Sequence, residues 1–144
     1  MKKIVLVTGN TKGGIIQFLE TLESVLSEIG FEITVVAPAE IEEKLQNKKN
    51  YIYYQTIIEG SGFTRKINSL LSKKKAFAEI AKRVNTLKPD LIWLIDNPIN
   101  TVEIGLKLVS TKIPMLLTLH DAGGNHPTNQ TIYQQLRNRY TDFL

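Results

Sequence analysis

A histidine and an aspartate stand side by side after an apolar run in LLTLHDAGGNHP, residues 116–127. A histidine can accept a proton or orient a hydroxyl near neutral pH, so His120 is a candidate catalytic residue and Asp121 a candidate substrate contact. Gly123 and Gly124 would let this loop fold close to a ligand. The alternative is a local hydrogen-bonded turn with no chemical role.

Gly13 and Gly14 stand where an apolar run gives way to an amphipathic segment. Residues without Cβ atoms let a ligand approach the free amide groups of a helix start, where the helix dipole favours an anion. The pair could equally form a tight strand-to-helix turn and nothing more. Asp96 and Asn97 pose a similar choice, because they could contact a substrate or cap the helix that follows them.

Short apolar or β-branched runs predict five strands, in KKIVLVT, FEITVVAP, YIYYQTII, PDLIWLID and IPMLLTLH. Helices are predicted between most of them, so the expected fold is a Rossmann-like, doubly wound parallel sheet in three α/β/α layers with strand order 3-2-1-4-5. The order reverses between strands 1 and 4, and ligands bind beyond the carboxyl ends of the strands at such a point. That edge would collect three segments, 9–14, 96–100 and 120–125.

Helical spacing of apolar residues predicts the connecting elements. We expect a helix over residues 15–29 closed by Gly30, and a helix in NTVEIGLKLVS with Asn100 as its N-cap. A short helix is expected in AEIEEKLQ, and EGSGFTRK is expected to be a loop, followed by a helical turn and then a longer helix. TIYQQLRNRYTDFL also has a helical pattern.

Several common sites are excluded by these residues. Gly9 and Gly14 have the spacing of a P-loop, but Ile15 and Ile16 stand where its Lys and Ser/Thr belong. The dinucleotide fingerprint fails because Thr11 takes the place of its second glycine. The chain has no cysteine, and His120 with Asp121 is a poor chelating pair, so no metal site is expected.

Composition indicates one globular domain of 144 residues, 42% hydrophobic and 22% charged. No signal peptide and no membrane span is expected, which is compatible with the cytoplasm. The net charge is +4, and basic residues gather in KLQNKK, TRKINSLLSKKK and AKRVNTLK. Because no nucleic-acid motif or interleaved aromatics accompany them, we expect no nucleic-acid partner. A solvated helix face is one explanation of these runs, and contact with anionic lipid headgroups is the other.

The ordered set KGGIIQFLETLESVLSEIGFEITVVAP, LKPDLIWLIDNP and IPMLLTLHDAGGNHP resembles the N-terminal Rossmann-like half of GT-B glycosyltransferases, close to glycosyltransferase family 4. The resemblance implies transfer of a sugar from a nucleotide-sugar donor to a glycan or lipid-linked acceptor, usually with retained configuration and with no metal or other cofactor. It implies that His120 contacts the transferred sugar, and that Gly13 and Gly14 lie near the donor phosphate and sugar or near the acceptor. A role in polysaccharide biosynthesis would follow from the same resemblance.

The family pattern continues into a second half that binds the nucleotide. We therefore expect residues 1–144 to be the acceptor-side domain, truncated before the C-terminal donor-binding domain and inactive alone. An exposed strand 5 edge would then favour a homodimer. The family resemblance also suggests peripheral contact with the inner face of the plasma membrane through Arg65, Lys66, Lys73, Lys74 and Lys75. The alternative function is a non-enzymatic Rossmann-like module that binds a small anion or a protein partner.

Overall fold

The computed structural model describes residues 1–46, 50–55, 62–96 and 98–118, with the backbone alone for 62–66. Within them, five parallel strands form one sheet in the order β3-β2-β1-β4-β5, with helices on both faces. The predicted fold class and strand order are therefore confirmed. The strands are β1 Lys3–Val7, β2 Glu32–Pro38, β3 Tyr51–Tyr54, β4 Leu91–Leu94 and β5 Met115–Leu117.

Three α-helices connect these strands: α1 Gly13–Glu28, α2 Gly62–Leu87 and α3 Ile99–Leu108. Helix α1 ends as predicted, because Gly30 follows it with a φ of 94°, a left-handed conformation that glycine adopts without strain. Two 3-10 helices add short turns, Ala39–Lys44 after β2 and Val109–Thr111 after α3.

The sheet separates two apolar clusters, as expected for strands covered on both faces. On one face, α2 and α3 pack over alternate strand residues, so that Phe77 and Ile104 join Val5 and Val7 in one cluster. On the other face, α1 and the first 3-10 helix pack over the intervening residues, with Leu19 against Leu6. Because helices cover both faces of the sheet with apolar side chains, polar groups from different elements come together at the ends of the strands.

Three predicted elements differ from the structure. The segment EGSGFTRK is not entirely loop, since α2 begins at Gly62 and continues unbroken to Leu87, joining the two helical pieces that we expected to be separate. Residues 72–75, which lie between those two pieces, are exposed or half-exposed on this single helix. The AEIEEKLQ segment is 3-10 rather than α-helical, and Pro98 instead of Asn100 occupies the N-cap of α3.

Strand β5 is an outer strand among the described residues, because β4 is its partner on one side. This is the geometry on which the predicted strand 5 homodimer depends, and the dimer stays a prediction.

The segment TIYQQLRNRYTDFL lies outside the described residues. Within the described chain, no helix combines the length and apolar character that crossing a bilayer requires.

Candidate functional site

The end of β1 is the point where most polar contacts of the candidate site meet. Thr8 directly follows β1, is fully buried, and donates its backbone N–H to the carbonyl of Val36 on β2. Its hydroxyl donates to Asp96 Oδ2 at 2.5 Å, and its Oγ1 accepts the backbone N–H of Asn10 at 3.1 Å. The Tyr54 hydroxyl at the end of β3 donates to the Thr8 carbonyl at 2.9 Å. One residue thus joins β1 to the ends of three other strands.

Asp96 lies two residues beyond β4 and is only 1% exposed. Its Oδ1 accepts from the hydroxyl of Thr101 at 2.5 Å and, at the long distance of 3.4 Å, from the backbone N–H of Gly9. With the Thr8 bond, the carboxylate joins the end of β1, the end of β4 and the first turn of α3. Hydrogen bonds to a buried carboxylate are among the stronger ones in proteins, so this cluster fixes the start of the β1–α1 loop. We call Thr8, Gly9, Asp96 and Thr101 the Asp96 cluster.

Gly9 is a glycine because the backbone here runs against α3. A Cβ on Gly9 would lie 2.8 Å from Thr101 Oγ1 and 2.9 Å from both Asn100 Cβ and Thr101 N. The Thr101 amide belongs to the helix backbone and cannot swing away. In the sequence, Gly9 stood out only as the first glycine of a P-loop pattern that the following residues exclude. In the structure, the absence of a Cβ lets the backbone at Gly9 pass close to the start of α3.

Gly13 and Gly14 are in a different situation. They are the first two residues of α1, both are exposed, and a Cβ on either would meet nothing within 4 Å. Neither has a positive φ, since Gly30 is the glycine with that conformation among the described residues. A tight turn therefore does not require these glycines. The first turn of α1 carries no acidic side chain, and its N-cap Lys12 makes no side-chain capping bond.

The loop that leads to this helix start is held on both sides. Asn10 Oδ1 accepts the backbone N–H of Lys12 at 3.0 Å, closing a local turn. Lys44, at the end of the first 3-10 helix, donates from Nζ to the carbonyl of Thr11 at 3.1 Å. The Lys44 ammonium therefore lies beside the loop that precedes the open helix start.

Tyr54 closes the buried side of this loop. Burial raises the pKa of its hydroxyl well above the usual value, and the negative charges of Asp96 and Glu40 add to that shift. The phenol is therefore a permanent hydrogen-bond donor to the Thr8 carbonyl rather than an acid that titrates in any ordinary assay.

The structure brings part of the predicted site to one edge. Gly13, Gly14 and Asp96 all lie beyond the carboxyl ends of the strands, at the predicted switch between β1 and β4. Asn97, His120 and Asp121 lie outside the described residues, so their roles stay predictions. Among the residues that the structure describes, no group of three or more histidine and carboxylate side chains is arranged to hold a metal ion.

Four residues of this edge were missed from the sequence as contributors: Thr8, Lys44, Tyr54 and Thr101. Thr8 and Tyr54 each end a strand, which was a usable signal, because the carboxyl ends of parallel strands share one edge. Thr101 and Lys44 gave no signal, since their partners depend on tertiary packing.

The fold is shared with several solved structures, three of which are MurG, a UDP-GlcNAc 2-epimerase and MnaA. MurG of Acinetobacter baumannii is similar with a TM-score of 0.62 and 19% identity, over 95% of this chain and 38% of that one. A UDP-GlcNAc 2-epimerase of Methanocaldococcus jannaschii is similar with a TM-score of 0.62 and 22% identity, over 98% of this chain and 37% of that one. A structure of Staphylococcus aureus MnaA with UDP is similar with a TM-score of 0.58 and 19% identity, over 95% of this chain and 35% of that one.

No model of a known protein family matches the chain, and no curated protein matches it. At these identities the similarity establishes the fold alone, which is a Rossmann-like parallel α/β sheet. The chain spans little more than a third of the length of each of these structures.

Proposed function

We propose that residues 1–144 form the N-terminal, acceptor-side half of a retaining glycosyltransferase of the hexosyltransferase type, similar to family 4. It would move a sugar from a nucleotide-sugar donor to a glycan or lipid-linked acceptor. Two independent lines support this proposal: the ordered motifs of the sequence, and a fold shared with MurG and with structures named for UDP and UDP-GlcNAc.

One observation carries the proposal: α1 begins with two exposed glycines that neither packing nor backbone conformation requires. Glycine is a poorer helix former than alanine, so the pair weakens the start of α1, and no packing contact offsets that loss. A ligand that must reach the first amide groups explains that cost, since a methyl group would stand in its way. The helix dipole and the cations of Lys12 and Lys44 favour an anionic ligand there.

Each residue then has a distinct role. The first amides of α1 would stabilise charge on the donor diphosphate as the sugar departs, which is an electrostatic task. Asp96 accepts protein donors on both oxygens and is buried, so we assign it the positioning of the β1–α1 loop rather than substrate contact. His120 would contact the transferred sugar, with Asp121 and Asn97 as further substrate contacts. No metal or other cofactor enters this scheme.

The second half of the enzyme would supply the nucleotide pocket. Because the chain spans little more than a third of the MurG, MnaA and epimerase structures, we propose that a parent protein continues into that half and that residues 1–144 alone do not catalyse transfer. The parent would act in the cytoplasm, where nucleotide sugars are made.

A second activity on the same substrates is favoured by one observation. The M. jannaschii UDP-GlcNAc 2-epimerase is as similar in fold as MurG, with the same TM-score of 0.62. Epimerisation of a nucleotide sugar is therefore the second candidate reaction, and it differs from transfer in needing no acceptor.

The deciding experiment incubates the parent protein with a panel of nucleotide sugars, with and without lipid-linked and glycan acceptors. Acceptor-dependent release of nucleoside diphosphate is expected, with a product whose anomeric configuration, read by NMR, matches the donor. His120→Ala should lower the rate by at least about a hundredfold, whereas His126→Ala, the other histidine of that loop, should not. Conversion of a donor to its epimer without acceptor would replace transfer by epimerisation, and no turnover of any donor by folded protein would favour a binding module.

A further inference from the structure

A cavity of 420 Å³ lies where α3 meets β5, at the outer edge of the described sheet. The described residues that line it are apolar side chains and one glycine, Gly105. Three of these side chains, Leu106, Val109 and Leu116, are 48%, 59% and 44% exposed. A cavity with an apolar wall holds water poorly, so its lining favours an apolar occupant.

The helix layer is incomplete over β5 in the described chain. Gly105 brings α3 close to β4, since a Cβ at this position would stand 2.6 Å from Leu94 Cδ1. Helix α3 therefore covers β4 first and leaves β5 partly uncovered. Every second residue of β4 is buried, whereas none of the three residues of β5 is. The cavity marks the space that another element would fill.

The sequence beyond β5 contains a segment with the complementary pattern, TIYQQLRNRYTDFL at residues 131–144. Its apolar and aromatic residues are Ile132, Tyr133, Leu136, Tyr140, Phe143 and Leu144. At about 100° per residue of an α-helix, these six side chains fall within an arc of about 120° that contains no polar residue of the segment. Asn138 stands at the centre of the opposite side. The sequence thus encodes one continuous apolar face.

The direction of the chain brings this segment to the cavity. Helices α2 and α3, which lead into β4 and β5, pack on one face of the sheet. A right-handed connection that continues outward from β5 lies on that same face. Residues 119–130 span up to about 40 Å when extended. That reach exceeds the length of α3, about 15 Å, so the segment can return along the cavity from the carboxyl end of β5.

We propose that residues 131–144 form an amphipathic helix that docks in this cavity, with its apolar face against α3 and β5. Leu136 and Tyr140 are central in the apolar face and would meet Leu106. A second copy of the chain paired along β5 is the weaker occupant of the cavity. Strand pairing uses the backbone of an edge strand, so it would leave the apolar side chains on the α3 side uncovered.

Docking would hold both ends of the loop that carries His120 and Asp121. The first end is already held at Thr118, which donates its N–H to the carbonyl of Leu94 and accepts the indole N–H of Trp93, both at 2.9 Å. The docked helix would hold the second end. A loop fixed at both ends would keep His120 at the carboxyl edge of the sheet, in the position that sugar transfer requires. This consequence rests on the proposed function, whereas the docking does not.

Disulfide trapping in residues 1–144 tests the docking, since the chain has no cysteine of its own. Under mild oxidation, Leu106→Cys/Leu136→Cys and Leu106→Cys/Tyr140→Cys should each form a disulfide within one chain, read by mass spectrometry, with a yield independent of protein concentration. The matched control is Leu106→Cys/Asn138→Cys, whose second thiol is on the polar side of the helix. It should form the bond at least about tenfold more slowly, because the two Cβ atoms are then too far apart.

Hydrogen exchange of the β5 amides is the second measurement. Leu136→Asp/Tyr140→Asp should raise their exchange rate at least about tenfold, because two carboxylates would not enter an apolar cavity. Gln134→Asp/Asn138→Asp adds the same charge to the polar side and should leave exchange as in the unmodified chain. Circular dichroism melts show whether each variant is folded.

Three results would overturn the docking. The Leu136 and Asn138 pairs would form disulfides at equal rates, the disulfide would form only between chains with a yield that rises with concentration, or the two aspartate variants would change exchange equally. The second result would favour the strand 5 homodimer. None of these measurements involves a sugar, so docking and sugar transfer can fail independently.

Discussion

Three glycines divide the candidate site into a closed part at Gly9 and an open part at Gly13 and Gly14. At Gly9 a Cβ would press on the Thr101 amide at 2.9 Å, whereas at Gly13 and Gly14 it would meet nothing within 4 Å. The first glycine is required by packing between the β1–α1 loop and α3. The other two are not, and their exposure leaves the start of α1 accessible to a ligand.

The closed part of the site supports the β1–α1 loop, whereas the open part is where a ligand could reach the backbone. Within the Asp96 cluster, Thr8, Asp96 and Thr101 are buried and joined by hydrogen bonds between distant parts of the chain, so the cluster acts as the support of the site. The start of α1 is open, and it is where the proposed function places an anionic ligand. Stabilisation of a charged transition state requires hydrogen-bond donors that are fixed in place before the reaction. The Asp96 cluster would fix the loop that leads to the backbone amides at the start of α1.

The largest expected effect comes from breaking the support. Asp96→Ala leaves the hydroxyls of Thr8 and Thr101 without their buried acceptor, and it should lower the free energy of unfolding by about 3 kcal/mol. Urea unfolding followed by circular dichroism measures this change. Asp96→Asn, which keeps the size and one acceptor oxygen, should lose less. A loss below about 1 kcal/mol for Asp96→Ala would mean that the cluster is not what fixes the loop.

A smaller loss is expected at the closed glycine. Gly9→Ala places a methyl group against the α3 backbone, and overpacking of this kind costs about 1–3 kcal/mol. The same substitution at Gly13, which has free space, is the matched control and should not destabilise the fold. If Gly9→Ala and Gly13→Ala lower the free energy of unfolding equally in the same assay, packing does not distinguish the two glycines.

The smallest expected change in stability concerns Glu23, which links the middle of α1 to β3, away from the open start of the helix. Tyr51 on β3 donates to Glu23 Oε2 at 2.8 Å. Burial raises the pKa of Glu23 above 4.5, against the opposing effect of this bond, and the charge of Glu20 raises it further. A carboxyl whose pKa is raised by folding stabilises the fold fully below its unfolded pKa, and that contribution is lost as pH rises through the folded pKa.

Glu23→Gln should therefore flatten the decline in stability above pH 4.5, as seen in urea unfolding at a series of pH values. Glu28→Gln, an exposed change on the same helix, is the control and should keep the original slope. If the slope is the same in all three proteins, Glu23 does not titrate differently on folding.

Much of the fold could be predicted from the sequence because local patterns encode it. Alternating strand and helix periodicities, with Gly30 closing α1, are sufficient for a parallel sheet, and right-handed crossovers then select its order. The continuity of α2 was not predicted, because its apolar residues fall into two groups, Ile67 to Leu71 and Phe77 to Leu87, and the polar residues between them are solvated in one unbroken helix. The N-cap of α3 was assigned to Asn100 by residue preference, whereas the chain enters that helix through Pro98.

The candidate site was predictable only in part. Gly13, Gly14 and Asp96 could be assigned to one edge, because strand order alone brings those segments together. The bonding of Asp96 could not be predicted, since Thr8 lies 88 residues away in sequence and the contact depends on how β1 and β4 align. Gly9 was singled out only by its P-loop-like spacing from Gly14, in a motif that the sequence excludes, and the steric reason for Gly9 exists only after α3 has packed.

The most direct test of the account uses the double variant Gly13→Ala/Gly14→Ala in the parent enzyme, with unfolding and transfer kinetics measured on the same preparation. The account predicts unchanged stability, or a gain of up to about 1 kcal/mol, together with a fall in kcat/KM of about a hundredfold because the donor phosphate can no longer reach the helix start. Full activity in this variant would contradict the account, since the open glycines would then serve no ligand.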